Sequence, residues 1–87
     1  MFCVYILYSP DYKKTYTGFT SDLKARMKSH NDLGIKVYTK KFRPWILLYS
    51  EEFNNKAEAM KREKYFKSGI GRKEIKNFVA EFHKSPK

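Results

Sequence analysis

The run Phe2-Cys3-Val4-Tyr5-Ile6-Leu7-Tyr8 constrains the fold more than any other stretch of this chain. Its residues are mostly β-branched or aromatic, and both parities are apolar, so the strand it forms leaves neither face for water. Such a strand belongs at the centre of a sheet, covered on both sides. Ser9-Pro10-Asp11 follows with turn chemistry, the Pro fixing one dihedral and the Asp able to bond nearby backbone, so that Thr15 to Phe19 returns antiparallel as a hairpin. Trp45 to Glu51 reads as a third strand behind Pro44, a residue tolerated at a strand's start. Three strands are the minimum for a self-supporting sheet.

The helices are marked by their ends. Thr20-Ser21-Asp22 offers oxygen acceptors to the unpaired amides of a helix, and Asp22 suits the positive end of its dipole. This helix is expected to reach His30 or Asn31, packing through Leu23 and Met27 while Arg26 and His30, one turn apart, share another stripe. Asn31-Asp32-Leu33-Gly34 stops it, and a loop runs from Ile35 to Pro44. Asn54 or Asn55 caps a second helix running to about Ser68, with Gly69 and Gly71 expected to break it. A last helix, Arg72 to about His83, carries Ile75, Phe78, Val79 and Phe82 at i, i+3, i+4 and i+7, the clearest amphipathic signal in the chain. The expected fold is α+β, a three-stranded antiparallel β-sheet flanked by three α-helices in the order ββαβαα. With 87 residues there is interior for a single core, so one domain over residues 1–84 is expected, with 85–87 a frayed tail.

Charge points to the partner. Nineteen Lys and Arg stand against nine Asp and Glu, a net +10 on a small surface, and a field of that size favours a polyanion. An anionic membrane is disfavoured, because that reading needs an amphipathic helix free to leave the core. The apolar stretch Phe2 to Tyr8 has no basic leader and falls far short of the ~20 residues that span a bilayer, so a cytoplasmic protein is expected. Cys3, the single cysteine, cannot form an internal disulfide and is expected to pack.

Several side chains carry chemistry beyond packing. Glu63 lies at i+4, i+3 and i−3 from Ala59, Met60 and Phe66, so a carboxylate sits in or beside a buried stripe. It is either a boundary residue paired with a lysine or an oxygen ligand for Mg²⁺, which takes one or two carboxylates and keeps several waters. Arg26 is either a solvated charge or a bidentate phosphate holder, a task for which lysine lacks the planar fork. His30 could bond a phosphate, move a proton or simply end the helix well. Tyr5 and Tyr16 are ordinary strand aromatics unless the register gathers them on one face, and a phenol needs nearby positive charge before it serves as a base. Gly18 permits a tight turn or the close approach of a ligand. Lys36, Tyr38, Lys40, Lys41 and Arg43 mix cations with an aromatic ring, which suits a nucleic-acid strand; Phe42 and Trp45 are assigned to the core. Zinc motifs, phosphate-binding glycine loops and the nucleophile elbow are all missing from the sequence.

These residues together resemble the GIY-YIG nuclease domain, in particular its small stand-alone bacterial members and the N-terminal nuclease domain of the bacterial excinuclease. Cys3-Val4-Tyr5 is similar to the first signature, with Cys for Gly and Val for Ile, and Tyr16-Thr17-Gly18 to the second, with Thr for Ile. Phe19-Thr20-Ser21-Asp22-Leu23 leading to Arg26, His30 and Asn31 resembles the helix bearing the family's arginine. Tyr38-Thr39-Lys40-Lys41 with Arg43-Pro44-Trp45, and the spaced Ala59, Glu63 and Lys67, are similar to later blocks. The resemblance implies an endonuclease that hydrolyses nucleic-acid phosphodiester bonds with Mg²⁺ or Mn²⁺, acting on DNA ahead of RNA in repair or recombination. Under it Tyr5 or Tyr16 orients or deprotonates water, Arg26 stabilises the phosphorane, His30 assists proton transfer or grips phosphate, and Glu63 binds the metal. The family's larger members add a DNA-binding domain, so target choice here is expected to be weak or supplied by a protein partner. The rival is a basic nucleic-acid-binding module on the same scaffold that does not cut.

Overall fold

The computed structural model describes residues 1–28 and 41–84. β1 (Phe2–Ser9), β2 (Lys14–Thr20) and β3 (Ile46–Phe53) form one antiparallel sheet in the order β2-β1-β3. The doubly apolar strand is therefore the central one, and Cys3 to Ser9 are all buried. With α1 (Leu23–Lys28), α2 (Lys56–Phe66) and α3 (Gly69–Lys84), the order among the described residues is ββαβαα.

Alternation along β1 sends its side chains into two separate cores. Val4 and Ile6 meet Ala59 and Phe66 of α2 and Ile75 of α3, with Phe78 and Val79 packed against them. Tyr5 and Leu7 meet Trp45 on the other face, where Tyr16, Phe42 and the Leu23 and Met27 of α1 close over them. The amphipathic stripe of α3 thus faces the sheet as its spacing requires. Tyr49 stacks on Phe78 with centroids 4.5 Å apart, and the last residues of α3 reach the end of β1, where Tyr8 Oη lies 2.7 Å from His83 Nε2.

The helix starts follow the capping chemistry. Asp22 Oδ1 accepts from the Ala25 amide at 3.1 Å, making Asp22 the N-cap of α1, and its own amide is held by Thr20 Oγ1. Asn55, of the two candidate asparagines, caps α2 by accepting from the Glu58 amide at 2.9 Å. The break between the last two helices differs from expectation. It falls at Lys67-Ser68, and both glycines lie in the first turn of α3. Ser68 Oγ caps that turn by accepting from the Gly71 amide. The reason for Gly71 is packing: a Cβ there would sit 2.5 Å from Phe66 Cα and collide with the Tyr65 carbonyl. The third strand also starts one residue late, with Trp45 buried just before it.

Candidate active site

Register decides whether the two signature tyrosines meet. β1 pairs with β2 so that Tyr5 opposes Gly18 and Leu7 opposes Tyr16. Residues directly opposite share a face, so Tyr5, Gly18 and Tyr16 lie on the α1 side of the sheet. The Tyr5 and Tyr16 rings are 6.4 Å apart between centroids, tilted by 34°, and Tyr16 leans on Trp45 at the same centroid distance. The Tyr5 ring crosses over β2: a Cβ on Gly18 would fall 2.7 Å from Tyr5 Oη and 2.9 Å from Cζ. Gly18 is buried, and the space it leaves open is filled by this phenol. No sequence signal named that partner, because the hairpin register sets it.

Arg26 and Glu63 belong to helices on opposite faces of the sheet. Arg26 sits half-buried on α1, one turn after the Asp22 cap. Glu63 stands on α2 in a stripe with Ala59 and Phe66, while Met60, expected in that stripe, is exposed. Its side chain is 21% exposed and holds Lys67 Nζ at 3.1 Å. The last turn of α2 reaches the outer edge of β2, where Tyr16 and Lys67 line one cavity of about 350 Å³. The Tyr5 hydroxyl feels all of these groups. Burial pushes its pKa well above the ordinary phenol range, Tyr16 adds to the rise, Arg26 opposes it, and Glu63 raises it further. The two phenols therefore adjoin on one face, and the charges of Arg26 and Glu63 are both felt at the Tyr5 hydroxyl.

Of the other residues singled out, Lys41 and Arg43 are exposed. Lys41 Nζ lies 5.5 Å and Lys14 Nζ 5.6 Å from the Phe42 ring, which packs on the Tyr5 and Trp45 core as expected of it. Cations thus flank the tyrosine face. His30, Lys36, Tyr38 and Lys40 lie outside the described residues. Cys3 is buried, as its expected packing role requires.

The donors fit a hard, loosely held cation. Among the described residues no group of three His, Cys, Asp or Glu could cage a metal. A single partly exposed carboxylate, as Glu63 is, is what Mg²⁺ uses when waters and substrate phosphates complete its shell. Glu63 already pairs with a cation, the Lys67 ammonium, through an exposed i,i+4 contact of the kind that contributes well under ~1 kcal/mol and yields readily.

The Tyr5 environment has a measurable consequence. The folded protein keeps this proton more tightly than the unfolded chain, so at alkaline pH the unfolded state binds fewer protons and stability falls as pH rises. The contribution is intact below about pH 10, the ordinary phenol value, and is lost above it. Tyr65, raised chiefly by donating to Glu74 at 2.8 Å, acts with the same sign. Thermal melts should show Tyr5→Phe losing stability less steeply than the parent above about pH 10. Parallel slopes would contradict the burial assigned to this hydroxyl.

A small antiparallel sheet with a tyrosine from each of its first two strands, an arginine from the following helix and a glutamate from the helix after the third strand defines a class of nuclease-type α+β domains. The chain belongs to the GIY-YIG family, whose model, described as the GIY-YIG catalytic domain, matches residues 1–76. Relatives are small bacterial proteins. The UPF0213 protein YazA of Bacillus subtilis is 44% identical over 66 residues, covering 76% of this chain and 66% of that protein. The UPF0213 protein SH2523 of Staphylococcus haemolyticus is 40% identical over 73 residues, covering 84% of this chain and 88% of its own. A solution NMR structure of the UPF0213 protein BH0048 from Bacillus halodurans superposes with a TM-score of 0.52 at 32% identity, covering 88% of this chain and 84% of that one. Membership puts the chain in a nuclease superfamily. Among the described residues, no helix is long and apolar enough to cross a membrane.

Proposed function

We propose that this protein is a divalent-metal-dependent endonuclease that hydrolyses nucleic-acid phosphodiester bonds, with DNA ahead of RNA as substrate and repair or recombination as its setting in the cytoplasm. The observation that carries this reading is the meeting of Tyr5 and Tyr16 on the face covered by α1, where the charges of Arg26 and Glu63 are both felt at the Tyr5 hydroxyl. In this proposal Arg26 holds two phosphate oxygens and neutralises the charge that develops on them, an effect larger in a partly desolvated corner than in water. Tyr5 is a neutral phenol in the resting protein and positions the attacking water or a phosphate oxygen; positive charge brought beside it lowers its pKa again and lets it, or Tyr16, take a proton. Glu63 holds Mg²⁺ or Mn²⁺, which when bound polarises the phosphoryl group. His30 assists proton transfer or grips phosphate. Lys36, Lys40, Lys41 and Arg43 neutralise backbone phosphates beside Tyr38, while Gly18, named for a ligand's approach, instead makes room for the Tyr5 phenol. A protein partner supplies the target choice this small surface lacks.

The reading is tested with branched, flapped, nicked and single-stranded DNA and RNA, each with Mg²⁺, with Mn²⁺ and with chelator. Cleavage that requires the ion supports it. Salt-sensitive binding to every probe with no cleavage of any would replace it with the non-cutting binding module.

A further inference from the structure

Outside the tyrosine corner, a wide cavity lies between β2 and α3. It has a volume of about 650 Å³ and is lined by Tyr8, Lys13, Arg72, Lys76 and His83 over a floor that includes Ile75 and Val79. It adjoins the 350 Å³ cavity beside Tyr16, with Thr15, Arg72 and Ile75 common to both. The two form one groove along the free edge of the sheet, beginning at the Tyr16 and Lys67 that border the catalytic corner. Among the described residues, no acidic side chain lines it, and Lys13, Arg72 and Lys76 make no ion pair.

We infer that this groove binds an unpaired nucleic-acid strand leading to or from the scissile bond. The inference rests on the nuclease reading and adds the path and the strandedness of the substrate. Three cations lining a channel, in no ion pair among the described residues, favour a polyanion. An apolar floor flanked by Tyr8 and Tyr16 suits exposed bases, whereas a duplex presents its phosphates outward and keeps its bases stacked. From Arg72 to His83 the helix rises about 16 Å, room for roughly five nucleotides at ~3.4 Å per nucleotide along one strand. At the far end the exposed His83, its Nε2 held by the buried Tyr8 hydroxyl at 2.7 Å, offers its other ring nitrogen to the strand as it leaves.

The test uses fluorescence anisotropy with a labelled 15-nucleotide single strand and a blunt duplex of the same length, with divalent ions chelated so that cleavage plays no part. Arg72→Glu with Lys76→Glu is compared with Lys56→Glu with Lys61→Glu, which changes net charge equally on exposed positions of α2. The groove pair should lose about tenfold or more in single-strand affinity, with the slope of log affinity against log salt smaller by about 1.4, or ~0.7 for each of two phosphates. The control pair should lose only a few-fold, and duplex binding should respond alike to both pairs. If the charge-reversed protein fails to fold, Arg72→Gln with Lys76→Gln carries the same comparison with a smaller loss. Equal single-strand losses from both pairs, or duplex loss matching single-strand loss in the groove pair, would overturn the groove while leaving the nuclease reading standing. A parent protein that binds neither probe would overturn nucleic-acid binding itself.

Discussion

Arg26→Ala is expected to cut nucleic acid on the order of 10³-fold more slowly than the parent protein, in the range observed when a transition-state charge donor is removed. Its melting temperature should hardly change. Arg26 is half-buried on a six-residue helix whose packing is carried by Leu23 and Met27, so its removal leaves that face of the core in place. Arg26→Lys keeps the charge and loses the planar fork, and should recover only part of the rate. Glu63→Ala should be similarly inactive through loss of the ion. The fold survives that change because the pairing of Glu63 with Lys67 is an exposed i,i+4 contact. Initial rates over a substrate series, with thermal melts of each variant, check these effects. Full activity in either alanine variant would remove that residue from the chemistry.

The largest stability effect is expected at Gly71. A glycine-to-alanine change within a helix ordinarily gains about 1 kcal/mol. At Gly71 the sign reverses, because the added methyl would meet backbone, the Tyr65 carbonyl and Phe66 Cα, rather than a side chain able to swing aside. Separating α2 from α3 to make room disturbs the core that Phe66 and Ile75 share. Overpacking of this kind costs about 1–3 kcal/mol or more, and in a domain of this size each kcal/mol shifts the melting temperature by roughly 4–8 °C. Gly69→Ala is the internal comparison. Nothing lies within 4 Å of a Cβ there, so it should be neutral or slightly stabilising. Equal melting temperatures for the two variants would show that the close approach of the helices is not what requires glycine at position 71.

These two glycines also show where sequence reading stops. Gly69-x-Gly71 carries the signature of a helix terminus, yet the turn is made by Lys67 and Ser68, and Gly71 answers a contact between two helices. Contacts between elements leave no local pattern. The central strand was legible because two-sided apolarity depends on burial alone, and the α3 stripe because 3.6-residue spacing does. Gly18 was visible as a glycine with some close neighbour; that the neighbour is Tyr5 follows from a register that a one-residue slip would undo. Glu63 was visible as a carboxylate in an apolar stripe. That its charge is felt at the Tyr5 hydroxyl depends on how α2 packs on the sheet, which no local pattern records. The groove along that edge had no signature, since Lys13, Arg72 and Lys76 are scattered cations until β2 and α3 lie side by side.

The central claim is that Arg26 and Glu63 serve one reaction at one place, and a double-mutant cycle on cleavage tests it most directly. Groups that act as a unit lose their effect together, so Arg26→Ala with Glu63→Ala should be scarcely slower than either single variant. Rate losses that multiply in the double variant would mean that the two residues act independently, and the shared site would be contradicted.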